Sequence, residues 1–317
     1  MGLIIKTILL FLFCEIVNSQ QDSLSENQYI TTFPNKISAR ISLVNTSNSF
    51  ILNDVANNAT YKLKPNVREY LGFSVLFRSI EIDYGFSPQI FNANKDNDNS
   101  KLYNLNLRMF LGQWMQTIDL YSQKGFNFSS NNQRVNLNGV KTFKIGGSTS
   151  YILNKDFSFR AIGFQNEWQT KSAGSFIPSI YYYYTKYNLS LESIEEVAHS
   201  YDIALGPSYY YNFCLTKNFI VSLGAHAGVG LNHSSNLGEG DFTSILYDFS
   251  GRVVVGYNSD TFFAGINSNI ILLEHKIDAS TVQDDTITFL EFYIGYRFNA
   301  PKKWVKFADD FNKKYGL

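Results

Sequence analysis

The chain has 317 residues, 17% of them charged and 16% aromatic, with 21 Tyr and 27 Phe against 3 Trp. Twenty-seven Lys and Arg balance twenty-seven Asp and Glu, so the formal net charge is zero. Nucleic-acid binders carry a basic patch or stripe, and none is visible here, so no nucleic-acid partner is expected.

Residues 1–19, MGLIIKTILLFLFCEIVNS, read as a secretory signal peptide. An apolar stretch from Thr7 to Cys14 precedes Val17 and Ser19, where a signal peptidase takes small side chains. Cys14 raises lipid attachment, but Phe13 before it is too bulky for that context. Past the leader only Cys214 remains, so no intramolecular disulfide is available to the exported chain. No later run approaches the ~18 apolar residues of a membrane-spanning helix.

Residues 20–66 form an N-terminal arm, expected to plug the rest or to add a strand at Ile37–Val44. From residue 67 onward apolar and polar side chains alternate with period two, the period of a strand. Ile80, Ile82, Tyr84 and Phe86 oppose Glu81, Asp83 and Gly85; Leu105, Leu107 and Met109 oppose Asn104, Asn106 and Arg108. Phe219, Val221, Leu223, Val229 and Leu231 oppose Ser222, Gly224, His226 and Gly230, and Leu290 to Phe298 opposes Glu291 and Arg297. The pattern predicts strands near 67–77, 79–88, 101–112, 114–124, 139–153, 157–168, 174–188, 199–213, 217–232, 243–257, 260–273 and 285–298. That makes twelve, or fourteen with Ile37–Val44 and one further strand. Asn92–Ser100, Asn127–Asn138, His233–Asp241 and Glu274–Asp285 are expected as long polar loops. Arg78-Ser79, Asn154–Asp156, Leu215–Asn218 and Asn258–Asp260 are expected as tight turns.

Strands of soluble proteins average about five or six residues, whereas a strand tilted across a bilayer needs about 9–11. Lipid offers no hydrogen bonds, so a spanning sheet must close on itself. The expected fold is therefore all-β: a transmembrane antiparallel up-and-down barrel over residues 67–298, apolar side to lipid and polar side to a lumen. Pro301 stops the last strand, and Trp304, Phe307, Ala308 and Phe311 then recur at helical spacing among lysines. They predict a short amphipathic helix in a periplasmic tail, residues 299–317, across the barrel mouth or on the membrane. The location expected is the outer membrane of a Gram-negative bacterium, with its lipid as partner.

The faces assigned inward carry Glu81, Asp83, Arg108, Asp119, Arg160, Asp202, His226, Asp248, Arg252, Glu291 and Arg297. Passive conduction of ions or small solutes is the first expectation. A structural or surface-binding barrel with a filled lumen is the alternative, because twelve strands fall between filled and open sizes. An enzyme is not expected: His226 is the sole histidine on a firmly inward face, and no nucleophile is evident beside it in sequence. No His/Cys cluster at ligand spacing predicts a metal, and no cofactor is expected.

Several stretches carry a resemblance: YKLKPN (Tyr61–Asn66) with Gly72 following, DLYSQKGF (Asp119–Phe126), FSFRA (Phe157–Ala161), QTKSAGSF (Gln169–Phe176) and the closing YRF. Together they resemble an uncharacterised outer-membrane β-barrel family, domain of unknown function 4421. The resemblance implies a barrel in the outer membrane, and it implies no activity and no site residues.

Overall fold

The computed structural model describes residues 29–65, 69–91, 101–130, 133–163, 166–191, 194–235 and 240–315. The expected leader and the polar residues 92–100 lie outside them. In chain order the strands are β1 (Ile30–Thr32), β2 (Lys36–Asp54), β3 (Ala59–Pro65), β4 (Glu69–Phe77), β5 (Ile80–Phe86), β6 (Lys101–Leu111), β7 (Trp114–Ser130) and β8 (Gln133–Tyr151). They continue as β9 (Glu167–Gln169), β10 (Ala173–Leu191), β11 (Ile194–Cys214), β12 (Phe219–Ser235), β13 (Phe242–Asn258), β14 (Phe262–Lys276) and β15 (Thr281–Asn299), and helix α1 (Lys302–Tyr315) follows.

The ring runs β2, β4, β5, β6, β7, β8, β10 to β15, each strand antiparallel to the next. It closes where β15 pairs with β2 over their full length, from Asn299↔Lys36 to Thr281↔Asp54. Twelve strands thus leave no free edge. Eleven lie where alternation places them. The twelfth is β2, which sequence reading left in the N-terminal arm, and residues 157–168 are not a wall strand.

The physical reason is visible in β2 itself. Lys36–Val44 alternates, but Asn45–Ser49 is polar on both faces and Phe50–Leu52 apolar on both, because that half lies beyond the apolar exterior. From the turn end of the barrel up to a rim the outward rows are largely apolar, with Ser268 among the polar exceptions. Asn45, Glu69, Lys101, Lys141, Glu274 and Thr288 mark that rim, all exposed. Below it the outward side chains of β15 are Leu290, Phe292, Ile294, Tyr296 and Phe298, with Ile294 55% exposed. Above it the strands run on, so Asn127–Asn138 and Glu274–Asp285, expected as loops, belong largely to β7, β8, β14 and β15.

Strands β5 and β6 end near the rim. Above it β3, following the same track as β4 along β2, pairs directly with β7 from Lys62↔Ser129 to Pro65↔Phe126. A register shift in β7 at this height falls on Gly125, whose φ of 89° suits glycine alone. It moves the inward face from odd residues such as Gln123 to Phe126, which is fully buried.

At the far end the β14–β15 turn is held by Asp278, whose Oδ1 accepts from the Ser280 and Thr281 amides at 2.8 and 2.7 Å and from Ser280 Oγ at 3.1 Å. Burial alone would raise this carboxyl, but the bonds from Ser280 and Thr281 outweigh it and hold the group below its usual range. A depressed carboxyl contributes stability above its unfolded pKa of about 3.9, lost as pH falls through the folded value. Asp278→Ala is expected to cost about 1 kcal/mol in urea unfolding at pH 7 and progressively less on acidification. A cost that stays constant down to pH 2 contradicts this.

Helix α1 lies beside the ring rather than across its mouth. Trp304 meets Phe77 with ring centroids 6.1 Å apart, and Arg78 Nη2 lies 2.6 Å from Asp309 Oδ1. Trp304, Phe307 and Phe311 remain exposed, continuing the apolar exterior below β4.

Candidate functional site

The link between β8 and β10 makes the tight turn expected at Asn154–Asp156, where the Phe157 amide donates to Asn154 O at 3.2 Å, but it then folds into the lumen instead of starting a wall strand. Phe157, Phe159, Ala161 and Ile162 pack against Phe110, Met115, Ile177, Ile220, Val254, Phe263 and Tyr293, inward residues from seven strands. Alternation misled here because Ser158, at 2% exposure, is as buried as Phe157. A lipid-facing strand has one exposed face, and this segment has none. Burying a Phe or Ile side chain contributes about 1.5–3 kcal/mol, so the plug is well seated.

The N-terminal arm completes the plug. β1 pairs with β9 from Ile30↔Gln169 to Thr32↔Glu167, and Tyr29 and Phe33 join the same apolar cluster. Polar ties fix it: Asn212 Nδ2 donates to Ser158 O (2.9 Å), Gln169 Nε2 to Asp156 O (2.6 Å) and Trp168 Nε1 to Lys217 O (2.9 Å). Arg160, expected on a wall strand, belongs to this plug. It pairs with Glu167 at 2.8 Å and lies over the Phe110 ring at 4.6 Å.

Toward the opposite end another apolar cluster, of Phe50, Phe126, Val140, Tyr187 and Ala198, narrows the lumen. Phe50 and Tyr187 meet edge-on at 5.8 Å although β2 and β10 are not neighbours in the ring. Their contact therefore crosses the lumen.

Between the plug and this cluster lie two cavities, of about 350 Å³ and about 190 Å³, whose shared lining includes Asp119, Tyr121, Tyr181 and Tyr183. In the larger one Arg40 Nη2 stands 3.1 Å from Asp83, 3.8 Å from Glu81 and 3.7 Å from Glu291. Arg108 holds the other oxygen of Glu81 at 2.6 Å. These charges survive burial by pairing. Arg252 lines the same cavity, and its Nε makes no hydrogen bond. The smaller cavity is lined by Asp119, Lys144, Asp202, His226 and Asp248. Thus the other predicted residues face the lumen from wall strands, but Arg297 sits apart at the turn end, bound to Asn258 and Ser259.

Sequence reading missed Arg40 because its strand was not counted; it shares the parity of Ser38 and Ser42, which was the available signal. It also missed the neighbours of His226. Ser208 is the cross-strand partner of His226, with Oγ 3.3 Å from Nδ1, and Asp248 Oδ2 lies 3.2 Å from Nε2. A serine and an acid thus flank the histidine, contrary to the expectation of no nucleophile. Cross-strand register supplies this adjacency, and it cannot be read along the chain. One tautomer satisfies both contacts, with Ser208 donating to Nδ1 and Nε2–H donating to Asp248. Acyl transfer also needs donors aimed at a developing oxyanion. The backbone at Ser208 is instead committed to ladders with Ile177 and His226.

Among solved structures the chain is similar to the outer membrane protease OmpT of Escherichia coli, at 8% identity and a TM-score of 0.40, covering 86% of this chain and 100% of that one. It is also similar to an outer membrane channel of Pseudomonas putida F1, at 10% identity and a TM-score of 0.35, covering 87% and 100%. An outer membrane protein OmpT of Vibrio cholerae matches at 8% identity and a TM-score of 0.34, covering 82% and 98%. These likenesses are too distant to say anything of this chain's activity. No curated protein sequence matches it. Residues 20–298 match the family described as Domain of unknown function (DUF4421), and the chain belongs to that family.

Proposed function

We propose that the chain is an outer-membrane β-barrel that conducts ions or small solutes only when its plug has left the lumen. The observation that carries the membrane half is the apolar exterior. Large outward side chains stand exposed on every wall strand below one polar rim, on a sheet with no edge. Water would oppose such a surface, whereas hydrocarbon matches it. The exposed aromatics of α1 extend that surface at the turn end, with Lys302, Lys303, Lys306, Lys313 and Lys314 placed for headgroups.

The conducting half rests on how the plug is attached. Residues 152–172 hang between β8 and β10, which pair with each other directly from Lys141↔Asn188 to Ser150↔Ser179. The plug can therefore leave without opening the wall. Behind it the chamber is lined by charged side chains that would tune passage. The buried hydrogen bonds of Asn212 and Gln169 favour a second reading, a structural barrel whose lumen stays filled.

A planar bilayer separates the two. Wild-type protein is expected to be silent, and replacing residues 156–170 by a short Gly/Ser linker is expected to give stepwise openings. Openings in the intact protein would show that the plug does not close it. Silence in a correctly folded linker variant would leave the filled barrel as the reading.

A further inference from the structure

We propose that the smaller lumen cavity binds an aliphatic diammonium ion. This deepens the reading of the lumen as a closed chamber and rests on it. Asp119, Asp202 and Asp248 line the cavity, and Lys144 is the one Lys or Arg among its lining residues. Each carboxylate has a hydrogen-bond partner: the Tyr183 hydroxyl donates to Asp119 at 3.0 Å, Asn232 Nδ2 to Asp202 at 2.5 Å, and His226 Nε2 to Asp248 at 3.2 Å. Three carboxylates against the single ammonium of Lys144 leave the lining with excess negative charge. Buried charge without a counter-charge costs several kcal/mol, so the site calls for a cationic guest.

An independent observation asks for N–H donors. Asn48 lines the same cavity at 6% exposure, and its Oδ1 accepts no hydrogen bond. A bare metal fits poorly, since among the described residues no three His, Cys, Asp or Glu side chains converge closely enough to hold one. Separated acceptors suit a guest with donors at both ends. Leu246, Leu273 and Ile287 give the wall between them an apolar surface for methylenes. The rings of Tyr181 and Tyr183 add faces that attract cations, and Lys144 already stands 4.9 Å from the Tyr183 centroid.

The test is titration calorimetry of 1,4-diaminobutane into the full chain refolded in detergent, and into the linker variant to remove any access barrier. One-to-one binding is expected in the linker variant, with butylamine weaker. Asp202→Asn should weaken the diamine about tenfold and Lys144→Met should tighten it about tenfold, one charge pair each. A merely structural role would move both variants in the same direction. No binding to a folded linker variant overturns the proposal, as does displacement of the diamine by equimolar calcium or a Lys144→Met variant that does not tighten. A linker variant that conducts but binds no diamine defeats this inference and leaves the channel reading standing. Binding in a barrel that never conducts does the reverse.

Discussion

Replacing Arg40 by alanine is expected to destabilise the barrel by about 3–5 kcal/mol, the cost of breaking a buried ion pair from one side. Its guanidinium, 11% exposed, serves Asp83, Glu81 and Glu291 at 3.1, 3.8 and 3.7 Å, and its Nε donates to Ser74 Oγ at 3.0 Å. Without it, Asp83 and Glu291 lose the cation they pair with and Glu81, 1% exposed, keeps only Arg108. Asp83→Asn in the Arg40→Ala background should restore part of the loss, because it removes one of the stranded charges. Arg40→Lys should not substitute, since a single ammonium cannot span three acceptors as a planar fork does. Reversible urea unfolding in lipid vesicles, followed by tryptophan emission, measures all three. A loss under about 1 kcal/mol for Arg40→Ala would falsify the network as a stabilising element.

Legibility of this fold in its sequence follows the solvent on each side of the wall. Where hydrocarbon meets one face and the lumen the other, alternation is strong, and eleven wall strands were readable from it. Beyond the rim the outward face no longer meets hydrocarbon and alternation fades, so the far half of β2 stayed within the expected arm and the extensions of β7, β8, β14 and β15 read as loops. The plug failed for the opposite reason. Phe157, Phe159 and Ala161 alternate with Ser158 and Arg160 as a strand would, yet both sets are enclosed. The site was half legible: the parity that assigned Glu81, Arg108 and Asp248 to the lumen is a local property. Which of them meet is set by register, so the Arg40 network and the Ser208–His226–Asp248 array needed the closed ring.

The same ring gives Arg297 an unusual position at the turn end, where a wall strand meets the plug. Its side chain is 1% exposed; Nη1 donates to Asn258 Oδ1 at 2.6 Å and to Ser259 O at 2.8 Å. The guanidinium lies between two rings, 4.3 Å from Phe33 of the N-terminal segment and 4.7 Å from Phe263 of β14. Phe33 in turn donates its amide to Asn166 O at 2.8 Å, so the arginine links β15, the β13–β14 turn and the plug. Each charge-assisted hydrogen bond is worth about 1.5–3 kcal/mol and each desolvated ring contact about 2, not fully additive. Arg297→Ala is expected to lose about 3–5 kcal/mol, to expose the N-terminal segment to protease, and to give brief openings in an otherwise silent bilayer. Arg297→Lys keeps the charge but cannot stack flat between two rings, so it should fall between alanine and wild type. Because the linker variant opens the lumen by removing the plug and Arg297→Ala by loosening it, openings should be long-lived in the first and transient in the second. If Arg297→Ala is destabilised yet stays silent and protease-resistant, the arginine braces the wall alone and the plug is held by its apolar packing.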